Sequence, residues 1–207
     1  EFIQASRIDN LASCHLALSA LVASAVHAHD ATRLIALYDH EEVGSRSAQG
    51  AAGPFLENVL SRIVAAIDGA ASQAFERAMS QTMLVSTDMA HAIHPNYADK
   101  HDPQHAPLIG KGPVLKANAN LSYATDAELA ARFVSICRDL GFEPQRYVNR
   151  NDLPCGSTIG PISAAKLGIK VVDVGNPMLS MHSIREMAGT IDHALMHEVL
   201  ARFFQMP

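Results

Sequence analysis

Short apolar runs alternate along this chain with longer stretches of mixed polarity. Thr32 to Tyr38, Thr82 to Ser86, Pro113 to Ala117, Arg146 to Asn149 and Ile169 to Val174 have the length and partly β-branched character of buried strands. Helical patterns lie between most of them. Thr125-Asp126-Ala127-Glu128 reads as a capping box opening a helix that Gly141 closes. Gly168 ends another helix just before the Ile169 run, and Thr190-Ile191-Asp192 opens the last one. Leu11 to Ala28 is apolar but interrupted by Cys14, His15, Ser19, Ser24 and His27, so it reads as a buried helix and not as a membrane span. His94 to Pro113, with four prolines, is one long irregular loop. This alternation implies a single α/β domain: a mixed, mostly parallel central sheet flanked by helices.

Composition narrows the function. The 207 residues are 48% hydrophobic, enough for one sizeable core. A net charge of −5 with scattered Lys and Arg offers no attraction to nucleic acid or to an anionic membrane, so a small or peptide partner is expected. Cys14, Cys137 and Cys155 are odd in number and irregularly spaced, which argues against a disulfide framework and for a cytoplasmic location. The first residue, Glu1, is not Met, which suggests a piece of a longer protein.

In open α/β sheets ligands collect beyond the carboxyl ends of strands. Four such junctions carry metal-type groups: Glu41-Glu42 after the first run, Asp88 after the second, His182 beyond Val174, and Asp9 where a strand would have to end just before residue 7. Adjacent carboxylates at a buried strand end repel unless a cation or proton compensates. With a metal there, Glu42 can ligate while Glu41 accepts a proton from water, whose pKa falls from about 15.7 towards roughly 7 on zinc. Taken singly, each residue also has a plainer reading. Glu41 and Glu42 can be solvated, Asp9 and Asp88 can be helix N-caps, His182 can be a hydrogen-bonded histidine, and Lys116 can be a surface lysine.

Together the segments closely resemble the aspartyl aminopeptidase family of dinuclear zinc exopeptidases. The motifs that carry the resemblance are Ser6-Arg7-Ile8-Asp9-Asn10-Leu11, Tyr38-Asp39-His40-Glu41-Glu42-Val43-Gly44-Ser45 and Asp88-Met89-Ala90-His91-Ala92-Ile93-His94-Pro95-Asn96-Tyr97. Lys111-Gly112-Pro113-Val114-Leu115-Lys116, Cys155-Gly156-Ser157-Thr158-Ile159-Gly160-Pro161 and Met181-His182-Ser183-Ile184-Arg185-Glu186 complete them. The resemblance implies a catalytic domain binding two divalent ions, zinc first with cobalt or manganese as alternatives. Asp9 would bridge the ions, Glu42 and His182 would complete one shell, Asp88 would hold the other ion, and Glu41 would be the general base. Lys116, helped by Tyr123, would read an acidic side chain. Gly156, Ser157 and Thr158 would offer donors to the substrate, and His91 would shape the pocket. The implied activity is removal of N-terminal Asp or Glu from peptides, in a homo-oligomer such as a dodecamer.

The resemblance also implies what these residues lack. The family draws one more histidine from a segment before the bridging aspartate, and Asp9 with Asp88 alone is a thin shell for zinc. The expectation is therefore that residues 1–207 form the C-terminal part of the catalytic domain. The upstream metal-binding segment and a dimerisation domain would be absent, and the sheet would be incomplete at its N-terminal side. A carboxypeptidase or deacylase of the same dinuclear architecture, and a non-catalytic homologue or fragment, stay open as alternatives.

Overall fold

The computed structural model describes residues 1–69 and 73–206. Among the described residues, eight strands and six α-helices follow in order β1 (Phe2–Ala5), α1 (Ile8–Ser24), α2 (Phe55–Asp68), α3 (Ala74–Gln81), β2 (Met83–Thr87), β3 (Ala90–His91), β4 (Val114–Ala117), α4 (Ala127–Asp139), β5 (Gln145–Val148), α5 (Ile159–Leu167), β6 (Lys170–Gly175), β7 (Pro177–Leu179), β8 (Glu186–Gly189) and α6 (Thr190–Phe203). Two single-turn 3₁₀ helices, Glu41–Val43 and Ala98–Lys100, lie in the connections.

The main sheet has the order β2-β6-β4-β5. The outer pairings are parallel and β4 runs antiparallel to β6, so the expected mixed, mostly parallel sheet is present. Strand β6 shows why it sits centrally: Val172 and Val174 face one helical layer and Val171 the other. Burial on both faces demands such a nearly continuous apolar run. Leu16, Ala20, Leu129, Phe133, Met196 and Val199 of α1, α4 and α6 form the first layer. Met79 and Leu167 of α3 and α5, with Leu56 and Leu60 of α2, form the second.

A second sheet, β1-β8-β7-β3, extends beyond one end of the first. Its strands β3 and β7 continue β2 and β6 in the same register: Thr87 pairs with Val174, and Ala90 with Pro177. Only Asp88 and Met89 interrupt the first chain and Asn176 the second. Gly175 is required at this crossing, because a Cβ there would lie 2.0 Å from the Asp88 carbonyl oxygen.

Three expectations need correction. Thr32 to Tyr38 forms no strand; these residues are half-buried or exposed, and no neighbouring strand supplies a ladder among the described residues. A short apolar run without such a partner has nothing to pair with. The helix expected to be buried is amphipathic: α1 buries Ser13, Leu16, Ala20 and Ser24 at helical spacing and leaves Leu11, Leu18 and Val22 more than half exposed. The cap of α4 is Asp126, whose carboxylate accepts from the N–H groups of Glu128 and Leu129, while Thr125 donates its hydroxyl to the Lys116 carbonyl. Gly168 does end α5, in the left-handed conformation that suits glycine. Among the described residues no helix is long and apolar enough to cross a membrane.

Candidate metal centre

The cleft opens where the main sheet gives way to the second, and its volume is about 580 Å³. Asp9 enters it from the turn between β1 and α1. Its φ/ψ and those of Asn10 are non-helical, so the regular helix starts only after them. Asn10 donates its side-chain amide to the Thr87 carbonyl, tying this turn to the end of β2. Asp88 enters from the interrupted crossing, its backbone N–H held by Val174 and its Oδ1 accepting from the Met89 N–H at 2.8 Å. Glu41 and Glu42 stand on their own 3₁₀ turn, flanked by left-handed His40 and Gly44. His182 follows β7 through left-handed Ser180 and is itself left-handed, with φ of 67°. Non-glycine residues in that region carry strain, which concentrates where side chains must be aimed.

These elements bring Asp9, Glu42 and His182 together. His182 Nε2 lies 3.2 Å from Asp9 Oδ2 and 3.0 Å from Glu42 Oε2. Among the described residues, this is the group of three ligand atoms all within 4.8 Å of one another. The Asp9 carboxylate is only 4% exposed, and its Oδ1 is buried without a hydrogen-bond partner. Burial, then the charges of Asp88 and Glu42, push its pKa up to about 8. Burial and the same kind of repulsion, from Asp88 and Glu42, raise Glu41 to about 7 against the pull of Lys116 and His182. A carboxylate left with an orphan oxygen among other carboxylates fits a cation, and imidazole with carboxylates is a donor set zinc accepts.

Cationic and aromatic groups line the same cleft. Lys116 is buried at 2%, not a surface lysine, and its Nζ donates to the Met89 carbonyl at 2.5 Å and lies 3.4 Å from Asp88 Oδ2. That ammonium sits 5.5 Å from the centre of the Tyr123 ring. Burial drives the Tyr123 hydroxyl far above its usual pKa. His91 lines the cleft, and desolvation, followed by Lys116, lowers its pKa. Neither His91 nor His94 joins the ligand group.

Gly156 and Ser157 line the cleft. Thr158 does not face it: it is 3% exposed, donates its hydroxyl to Asp173 at 2.7 Å and caps α5 through the Gly160 N–H. Its part is to hold the loop from below. The sequence reading missed Asp173, which also accepts from the Ala124 N–H and so joins the Tyr123 segment to that loop. It also missed Glu186, whose carboxylate accepts the N–H of both Asp9 and His182. A lone acid opening the short strand Glu186–Gly189 was the available signal.

Comparisons with known proteins give the family. The family model described as aminopeptidase I zinc metalloprotease (M18) matches residues 1–204. The chain belongs to the M18 family. It is 48% identical over 204 residues to a probable M18 family aminopeptidase 2 of Pseudomonas aeruginosa, a match covering 99% of this chain and 46% of that protein. A similar match, 48% over 203 residues, is to the probable M18 family aminopeptidase 2 of Mycobacterium bovis, covering 97% of this chain and 47% of that protein. The chain thus spans about half the length of these M18 relatives. Among solved structures, a cryo-EM structure of the Ape4 and Nbr1 complex superimposes with a TM-score of 0.94 at 42% identity, covering 99% of this chain and 39% of its counterpart.

Proposed function

We propose that this M18 chain contributes the greater part of the active site of an aminopeptidase that removes acidic residues from peptide N-termini with two metal ions. The observation that carries the proposal is Asp9: a buried carboxylate with one orphan oxygen, set among Glu42, His182 and Asp88. One ion would take Asp9, Glu42 and His182. The other would take Asp9 and Asp88, and a histidine from beyond residues 1–207 would bring that shell to the three protein ligands usual for catalytic zinc. Bound zinc supplies Lewis acidity, polarising a peptide carbonyl and acidifying water.

The chain's own residues divide the remaining work. Glu41 lines the cleft beside the proposed ligands, placed to take a proton from water and return it to the leaving amine. The carboxylates attract the substrate's α-ammonium group, which favours cutting at an N-terminus. Lys116 stands between Asp88 and Tyr123, and a desolvated ammonium there favours an acidic side chain. Its contact with Asp88, at 3.4 Å, holds its Nζ at the cleft. Gly156 and Ser157 border the site where the peptide backbone would lie.

The whole protein would work as a cytoplasmic homo-oligomer. A solved relative, matched at 29% identity with a TM-score of 0.82 over 99% of this chain and 46% of its own, is the dodecamer of mApe1 from S. cerevisiae. The test is metal content by elemental analysis, alongside hydrolysis of Asp-, Glu-, Leu- and Lys-amides by the whole protein. Two ions with acid-selective cleavage support the proposal. Equal cleavage of all four removes the role given to Lys116, and release of C-terminal residues would point to a carboxypeptidase. No metal and no cleavage would indicate a non-catalytic homologue.

A further inference from the structure

Glu186 is a buried carboxylate that the proposed chemistry does not use. It opens β8, is 2% exposed, and lies between the two segments that deliver ligands from opposite ends of the chain. Strand β1, which leads to Asp9, pairs with β8 so that Ala5 stands opposite Glu186. Strand β7, which leads to His182, pairs with the other edge of β8. Each segment then leaves its strand through a left-handed residue, Arg7 in one and Ser180 in the other. Neither turn is fixed by a ladder at the point where its ligand is presented.

Glu186 supplies that fixing. Its Oε2 accepts the Asp9 N–H at 3.0 Å and its Oε1 accepts the His182 N–H at 2.7 Å. The two oxygens of one carboxylate are a rigid pair, so the backbones of both residues are held to a single planar group. The side chains they carry meet 3.2 Å apart, His182 Nε2 against Asp9 Oδ2. We infer that Glu186 is a positioning residue that sets the spacing of Asp9 and His182 for a shared cation. The inference rests on the metal-centre reading above. Outer groups of this kind orient ligands without touching the ion, and their loss typically weakens metal binding by about 10–100-fold.

The competing possibility is that Glu186 merely satisfies two buried N–H groups. Asp192 provides the control, because it does the same for Gly110 and Gly112 at 2.7 Å each and does not line the cleft. In Glu186→Gln the side chain keeps its size, but one acceptor becomes an NH₂ group facing an N–H donor. Zinc affinity by chelator competition, melting temperature without metal, and kcat and KM at saturating zinc would be measured on the whole protein, with Asp192→Asn in parallel.

Glu186→Gln is expected to weaken zinc binding by about 10–100-fold and to lower kcat more than KM changes. Asp192→Asn is expected to lower the melting temperature while zinc affinity stays at the wild-type value. Wild-type zinc affinity and kcat in Glu186→Gln, with only its melting temperature lowered, would overturn the inference and leave the metal reading intact. A wild-type protein that binds no zinc overturns both. Should Glu186→Gln fail to fold, Glu186→Asp decides by the same readouts, because it keeps both acceptors but withdraws them by one methylene. Weaker zinc binding supports the positioning role, and unchanged binding ends it.

Discussion

Two kinds of buried carboxylate stand within this one small domain, and they differ in the donors and charges around them. Asp173 and Asp192 are fully buried, and each accepts two donors from backbone N–H or hydroxyl groups: Asp173 from Ala124 and Thr158, Asp192 from Gly110 and Gly112. Asp9 is nearly as buried, yet its Oδ1 has no donor and its charged neighbours include Asp88 and Glu42. In the first kind each carboxylate oxygen has a donor, and the acid closes loops onto the sheet. The second is incomplete without a cation or a proton. Burial alone therefore does not distinguish structure from chemistry; the supply of donors does.

The strongest way to break this comparison is to neutralise one acid of each kind. Asp9→Asn should abolish stable metal binding and with it nearly all turnover, while raising the melting temperature of the metal-free protein at pH 8 because a repelled buried charge is gone. Elemental analysis and thermal denaturation without metal check the two halves. If Asp9→Asn retains its metal, Asp9 is a structural acid like Asp192.

Glu41→Gln should keep the metal and lower kcat by about 10²–10⁴-fold, the usual contribution of a general base. Equal metal loading in this variant and the wild type, together with the lost turnover, separates the base from the ligands. Equal turnover would remove Glu41 from the proton path.

Asp192→Asn should destabilise the fold by about 1–3 kcal/mol, the cost of leaving a buried backbone donor unsatisfied. Chemical denaturation measures it, and the cleavage chemistry should survive. The effect should have the opposite sign to that of Asp9→Asn in the metal-free protein, and identical signs would dissolve the distinction between the two kinds of acid.

The gentlest probe is pH. Asp9 has its pKa raised from 3.8 to about 8, so the folded chain without metal binds this proton more tightly than the unfolded chain does. The stability it contributes is therefore full below about pH 4 and is lost as pH rises towards 8. The wild type should lose stability relative to Asp9→Asn across that window when metal is absent. Zinc should reverse the trend, since binding requires the deprotonated ligands and releases protons. A stability difference that does not change with pH would show that Asp9 is not strained by its neighbours.

Much of the scaffold was legible in the sequence because it is local. Runs at Thr82 to Ser86, Pro113 to Ala117, Arg146 to Asn149 and Ile169 to Val174 became strands within one residue or so of their expected ends. The run at Thr32 to Tyr38 did not, because strand formation depends on a neighbour and composition does not supply one. Thr125 and Asp126 compete for one cap, and the Lys116 carbonyl decided the contest by taking the Thr125 hydroxyl.

What the sequence by itself determined is most of the alternation of strands and helices, the strand-end placement of Asp9, Asp88 and His182, and the motifs that resemble one peptidase family; Glu41 and Glu42 follow no strand. These follow from neighbours a few positions apart, where period, capping and turn chemistry operate. Only the tertiary structure decided that Asp9 and His182 meet at 3.2 Å, that Lys116 is buried against Asp88, that Thr158 turns inward, and that Glu186 holds two ligand-bearing backbones. The Glu186–Asp9 contact joins residues 177 positions apart. Such a contact is set by how two sheets share a register and where that register is interrupted, and no local pattern encodes it.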